Sequence, residues 1–257
     1  MKRITGFGWL GAAGLLLVGC GGSRGPSDNL LTLHAGQTWV YNLAGNITLP
    51  AAQGGGTQAL QATSTLTIQV ANGTARDLNN NEVSILDRKI DAILLDGREV
   101  KGNFRLYFSQ SNLGIFVHGV NNYVGDTFNA ANDIFVPSTT NPPFAFLYLP
   151  NPLADNSTLS YTNPLGLATT KDVSYSLQVG TPRQSLKVPA GEFFVKPISI
   201  VENFNRPLTV ATSGIVPFSI TSAGFDPNNG LISGVFKATL PDGTQFSGTI
   251  ALKSTSG

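Results

Sequence analysis

The feature that most restricts the fold is a two-residue rhythm of apolar and polar side chains that returns along most of the chain. Leu60, Ala62, Ser64, Leu66, Ile68 and Val70 share one side of an extended backbone, and Gln61, Thr63, Thr65, Thr67 and Gln69 share the other. Val173, Tyr175, Leu177 and Val179 alternate with Ser174, Ser176 and Gln178. Phe246, Gly248, Ile250 and Leu252 alternate with Gln245, Ser247, Thr249 and Lys253. Successive side chains of a strand point to opposite faces, so this rhythm predicts antiparallel strands with one face buried. Further strands are expected at 37–43, 103–108, 114–118, 144–149, 184–188, 193–201, 208–220 and 231–240. The stretch Glu82–Leu95 admits a bulged strand or a helical turn through Leu86, Ile90 and Ile93; with strands around it and no capping residue, strand is preferred.

Turn chemistry separates these runs. Leu95-Asp96-Gly97, Asp226-Pro227-Asn228-Asn229-Gly230 and Pro241-Asp242-Gly243 are turn signals, and the last predicts a C-terminal hairpin. Val188-Pro189-Ala190-Gly191 supplies another reversal, since Pro presets its own φ and Gly accepts a positive one. Two long segments, 121–143 and 150–172, are rich in Asn, Pro and Thr and read as loops of the kind that carry binding surfaces. The run Phe144-Ala145-Phe146-Leu147-Tyr148-Leu149 has no polar alternation, which predicts a central strand covered on both faces. Phe144, Phe146 and Tyr148, with Trp39 and Tyr41, are the candidate residues for the wall of an apolar cavity. The expected class is all-β: an antiparallel sheet arranged as an open or half β-barrel or a sandwich. A faint echo also suggests two similar halves, 30–143 and 144–257, in which Leu66-Thr67-Ile68-Gln69-Val70 faces Tyr175-Ser176-Leu177-Gln178-Val179.

Composition narrows the functional classes. Only 12% of the 257 residues are charged, while 41% are hydrophobic, so the chain has ample core material and is not a disordered segment. One cysteine cannot make an internal disulfide. Sixteen Lys and Arg against fifteen Asp and Glu leave no basic footprint for a nucleic-acid partner.

The N-terminus has the layout of a secretory signal peptide. Lys2 and Arg3 are followed by an uncharged stretch to Gly19, too short for a comfortable membrane span. Leu17-Val18-Gly19-Cys20 matches the bacterial lipobox. The match implies a diacylglyceryl thioether at Cys20, cleavage before it and acylation of the new amine. A thiolate is the side chain suited to that transfer, and two or three acyl chains give stable anchoring. The expected organisation is a signal peptide at 1–19, a lipidated flexible tether at 20–29 and a β domain at 30–257. The expected location is the cell envelope, with membrane lipid as the partner of acylated Cys20. Gly21, rather than Asp, after the cysteine favours the outer membrane in a host with two membranes.

The order of motifs resembles a group of uncharacterised bacterial lipoproteins. It runs from Gly36-Gln37-Thr38-Trp39-Val40-Tyr41 through Ser111-Asn112-Leu113-Gly114-Ile115 and Val188-Pro189-Ala190-Gly191-Glu192-Phe193 to Asn229-Gly230-Leu231-Ile232. The group is similar in layout to half-open β-barrels of the lipoprotein-carrier type. That likeness implies an apolar concavity for acyl chains and brings no catalytic residue.

Motifs for other chemistry are sparse. His34 and His118 lie far apart, and no spacing suggests carboxylates completing a zinc site. No G-x-S-x-G elbow, P-loop or dinucleotide fingerprint is present. Asp77, Asn79 and Asn81 match the first ligands of an EF-hand loop, but Glu82 and Arg88 stand where Gly and Glu are needed, so a polar β-turn is the better reading. Asp87, Asp91, Asp96 and Glu99 mix with Arg88, Lys89, Arg98 and Lys101 in the manner of a solvated face. The leading expectation is a non-catalytic role with no cofactor and no metal, binding a hydrophobic ligand or an envelope protein. The alternatives are a hydrolase acting on an envelope polymer and a purely structural surface lipoprotein. A cavity over about 300 Å³ would favour ligand binding. A cleft gathering His118 with a carboxylate and a serine would favour the enzyme.

Overall fold

The computed structural model describes residues 32–111, 114–124, 130, 133–135, 144–148, 156, 158–162, 173–181, 183–204, 218–239 and 243–256. The leader, the lipobox Leu17-Val18-Gly19-Cys20 and the tether lie outside the described residues.

Alternation produces the strands it predicts. The N-terminal set is β1 (Thr38–Thr48), β2 (Thr57–Ala59), β3 (Thr65–Arg76), β4 (Glu82–Ile93), β5 (Glu99–Ser111), β6 (Gly114–Val124), β7 (Ile134–Phe135) and β8 (Phe144–Tyr148). The C-terminal set is β9 (Thr158–Thr162), β10 (Val173–Val179), β11 (Gln184–Val188), β12 (Gly191–Phe204), β13 (Phe218–Asp226), β14 (Gly230–Thr239) and β15 (Gln245–Ser256). No α-helix occurs among the described residues, so Glu82–Leu95 resolves as strand β4.

All pairings are antiparallel and run through one open sheet in the order β7-β6-β5-β4-β3-β1-β15-β14-β13-β12-β10-β9, with β2 beside β1, β8 beside β6 and β11 beside β12. Hairpin connections account for most neighbours. The pairs β1–β3, β6–β8 and β10–β12 each skip one strand, and β1 against β15 joins the first and last strands from Thr38↔Ser256 to Thr48↔Gln245. Two meanders therefore extend from a central seam. Register shifts interrupt the ladders at Val40/Tyr41, Val70/Thr74, Tyr107/Phe108, Ile198/Ile200 and Thr221/Gly224. Each extra residue bends its strand and raises the local twist, which is how an open sheet curls over itself.

The curl packs the two meanders on each other. One hydrophobic cluster contains Leu66, Ile90, Leu106 and Val117 from the first meander, and Leu177, Ile220, Ile232 and Phe236 from the second. Each such side chain contributes about 1.5–3 kcal/mol when fully buried, so this shared core holds the halves together.

The structure departs from the sequence pattern at several places. The run 60–70 is not one strand, because Gln61–Ser64 form a turn in which Ser64 N donates to the Gln61 carbonyl (3.0 Å). Leu60 instead makes an isolated bridge to Leu94. The strand expected at 208–220 is described only from Phe218 and runs on to Asp226, where the predicted turn begins. The loop at 150–172 contains β9, and that at 121–143 contains the end of β6 and β7. The apolar run at 144–149 forms β8, which among the described residues pairs with β6 alone, through Val117↔Phe144, Phe116↔Ala145, Ile115↔Leu147 and Gly114↔Tyr148; whether both of its faces are covered lies outside the described residues.

Candidate functional site

The inner face of β1 forms the floor of an apolar slot. Trp39, Tyr41 and Leu43 alternate with more accessible neighbours and are 3%, 1% and 2% exposed. Buried indole N–H and phenol O–H groups need acceptors. Trp39 Nε1 donates to the Asn229 carbonyl (2.8 Å) and Tyr41 Oη to the Leu231 carbonyl (2.9 Å), so both reach across to the β13–β14 reversal. Burial pushes the Tyr41 phenol above its ordinary range, keeping it a neutral donor.

Two walls rise from this floor. Ile68, Leu86, Leu106 and Ile115 come from β3 to β6, and Ile198, Ile200, Ile220, Phe225 and Leu231 come from β12 to β14. The space between them is about 100 Å³. That is below the roughly 300–1,000 Å³ of a preformed small-molecule pocket, so the slot is closed down rather than open. Trp39 and Tyr41 line it as the sequence suggests. The side chains of Phe144, Phe146 and Tyr148 lie outside the described residues; only the backbone position of β8 beside β6 is defined.

Arg88 is the charged residue of the slot lining, and the sequence reading misplaced it. It is 8% exposed and sits between Leu86 and Ile90 on the inner face of β4, opposite Ile68 and Phe104. Its guanidinium carbon lies 5.8 Å from the Phe104 ring centroid, a cation–π distance. The acidic and basic residues around it do face outward. Lys89 pairs with Asp91 (3.5 Å), Arg98 with Asp96 (2.8 Å) and Lys101 with Glu99 (3.8 Å). The period-two rule would have separated Arg88 from its β4 neighbours Asp87, Lys89 and Asp91, because it shares parity with Leu86 and Ile90.

The outer face carries a second constellation. His118 is the extra residue at the β5–β6 register shift, lying between Val117, opposite Phe108, and Gly119, opposite Tyr107. Its Nε2 is 2.8 Å from Ser109 Oγ on β5, and its Nδ1 is 3.0 Å from Asp77 Oδ2 in the β3–β4 turn. The His118 and Asp77 side chains are 15% and 6% exposed. Asp77 is shaped by its own turn. Oδ1 accepts the backbone N–H of Asn79 (2.9 Å) and Asn81 (2.8 Å), and Oδ2 accepts Asn81 Nδ2 (3.1 Å). Asn80 takes the left-handed conformation at φ 62°, which Asn tolerates well. Burial works to raise the Asp77 pKa, but the bonds from Asn81, Asn79 and His118 outweigh it and hold the carboxyl below the usual carboxylate range. The 77–81 segment is thus the polar turn expected from sequence, with its carboxylate engaged by its own N–H groups.

Beside this constellation, Arg105 clasps Asp87 through Nε–Oδ1 (2.7 Å) and Nη2–Oδ2 (2.9 Å). Tyr107 Oη and Asn121 Nδ2 both donate to Asp133 Oδ1, at 2.7 and 2.6 Å. The Tyr107 ring stacks on Phe135 at 5.0 Å, across the side-chain-free Gly119. His34 is exposed and takes no part in either place. Among the described residues no three His, Cys, Asp or Glu side chains cluster as metal ligands.

No family model and no curated protein matches the chain. Two solved structures are similar to it. One is a candidate exported protein of YmcC-like fold from Bacteroides fragilis, 13% identical, with a TM-score of 0.32 over 89% of this chain and 99% of that one. The other is a β-barrel-like protein of the DUF1849 domain from Brucella abortus, 8% identical, with a TM-score of 0.40 over 88% of this chain and 99% of that one.

Proposed function

We propose that the chain is a lipid-anchored protein of the cell envelope whose β domain takes up a slender apolar chain between its two walls. The observation that carries this reading is the slot itself. Its lining from both meanders is apolar apart from Arg88, and a dry apolar void is a favourable place for hydrocarbon. Entry requires the walls to part, because the present space of about 100 Å³ is too small for a long acyl chain. Parting them breaks the Trp39 and Tyr41 bonds to the 229–231 carbonyls, at a cost of about 1 kcal/mol each. Anchoring rests on the leader and on Leu17-Val18-Gly19-Cys20, and Gly21 supports the outer membrane in a two-membrane host. An envelope protein as partner is the alternative occupant of this role.

Native extraction of the membrane-derived protein followed by mass spectrometry tests the proposal. A co-purifying lipid, and its loss in Ile200→Trp, which fills the slot from one wall, are the expected results. Preparations that repeatedly carry no lipid, and that do not quench or displace a fluorescent fatty acid, would overturn it.

A further inference from the structure

Ser109, His118 and Asp77 are joined in an order that fixes where the protons are. The Asp77 carboxylate already accepts three N–H bonds from Asn79 and Asn81, so it has no proton to offer His118. His118 Nδ1 must therefore carry the hydrogen shared with Oδ2 at 3.0 Å. In the neutral ring this leaves the Nε2 lone pair facing Ser109 Oγ at 2.8 Å, and the hydroxyl is the donor. A strand ladder would pair the residue after Val117 with β5; the register shift frees it, and the imidazole bridges β5 to the β3–β4 turn.

We propose that Ser109 is a nucleophile for carboxylic esters, with His118 as its general base and Asp77 as the group that orients the imidazole. As Ser109 Oγ attacks the ester carbonyl carbon, its proton passes to His118 Nε2. The C–O bond to the alcohol breaks, the alcohol leaves with that proton, and an acyl-serine remains. Water then gives a proton to His118 and attacks the acyl carbon; the carboxylic acid departs and Ser109 recovers its proton. The sum is ester plus water giving acid plus alcohol. The site is on the outer face, whereas the slot is on the inner one, so the substrate is an ester presented at the protein surface rather than an acyl chain held within. Base assistance of this kind supplies about 10²–10⁴-fold, which sets a modest expected rate.

The test uses the purified full chain with a fluorophosphonate probe and p-nitrophenyl acetate. Expected are a phosphonyl adduct mapped to Ser109, ester turnover that falls at least about 100-fold in Ser109→Ala, and a similar fall in His118→Ala. Because His118→Ala also removes a tie between strands, Ser109→Cys provides a second reading. Its thiol should alkylate with iodoacetamide with a midpoint well below the ordinary value of about 8.5, and lose that advantage when combined with Asp77→Asn. Peptide mapping separates this thiol from Cys20. Absence of a Ser109 adduct, turnover equal to that of Ser109→Ala, or an ordinary thiol profile in Ser109→Cys would overturn the assignment. None of these outcomes bears on lipid in the slot, so the two proposals fail separately.

Discussion

Replacing Gly248 by alanine tests the crossing at the central seam, where β1 and β15 bring the two meanders together. Gly248 stands directly opposite Gly45, each on the inner-face row of its strand, between Leu43 and Ile47 on β1 and between Phe246 and Ile250 on β15. A Cβ added at Gly248 would lie 2.1 Å from the Ala44 carbonyl oxygen and 2.9 Å from both the Ala44 carbonyl carbon and Gly45 Cα. A Cβ at Gly45 would lie 2.3 Å from the Ser247 oxygen and 2.4 Å from Gly248 Cα. Every obstacle is backbone, so no side chain can rotate away and the strands themselves must separate. Overpacking of a well-packed site costs about 1–3 kcal/mol, and a backbone obstacle belongs at the top of that range, so Gly248→Ala should lose about 3 kcal/mol. Gly45→Ala should lose more. Its φ of +151° adds strain of about 1–3 kcal/mol for a residue with a side chain. The double variant should lose less than the sum, because one separation of the strands relieves both clashes. The assay is guanidinium denaturation, with the midpoint expected to fall at unchanged slope. Gly73→Ala is the control: its Cβ would meet nothing within 4 Å and its φ is not positive, so it should be neutral or slightly stabilising. A Gly248→Ala protein within 0.5 kcal/mol of the parent (the order of ordinary surface changes) would refute the close-crossing account.

Tyr41 makes alkaline stability informative. Its folded pKa lies above the unfolded value of about 10, so the stabilisation is fully present below pH 10 and is lost as pH rises. Tyr41→Phe should remove about 1.4 kcal/mol of the loss seen between pH 9 and pH 11 in urea titrations, and an unchanged pH slope would contradict the buried neutral phenol. Arg105→Met removes the two-bonded clasp on Asp87; with 18% and 32% of the side chains exposed, the cost should be about 1 kcal/mol in a denaturant midpoint, and a loss of 3 kcal/mol would mean that the pair is far more desolvated. Cys20→Ser should appear in the soluble fraction or as an uncleaved precursor on fractionation, and an acylated membrane-bound product would remove the basis for anchoring.

The strands were legible because their signal is local. Alternation in 173–179 and 245–253 needs only neighbouring residues, and the turn residues at 226–230 and 241–243 act over four or five positions. Trp39 and Tyr41 were recognisable as inward for the same reason. What they touch was not, since their acceptors at Asn229 and Leu231 lie 190 residues away and depend on the β1–β15 seam. Arg88 shows a different failure. Reading charges as a mixed run ignores parity, and parity alone puts it with Leu86 and Ile90 inside. The Ser109–His118–Asp77 arrangement lies beyond either kind of local signal. Ser109 and His118 meet because a single extra residue offsets the β5–β6 register, and Asp77 joins them because the β3–β4 turn lies over the same face. A shift of one residue moves every later side chain to the opposite face. Any estimate of which residues meet at this bulge therefore needs the register itself, and register is set by the sum of cross-strand contacts rather than by any one strand. The same device explains both places described: bulges curl the sheet until Trp39 and Tyr41 reach the opposite wall, and one of them leaves His118 without a cross-strand partner, within reach of Ser109.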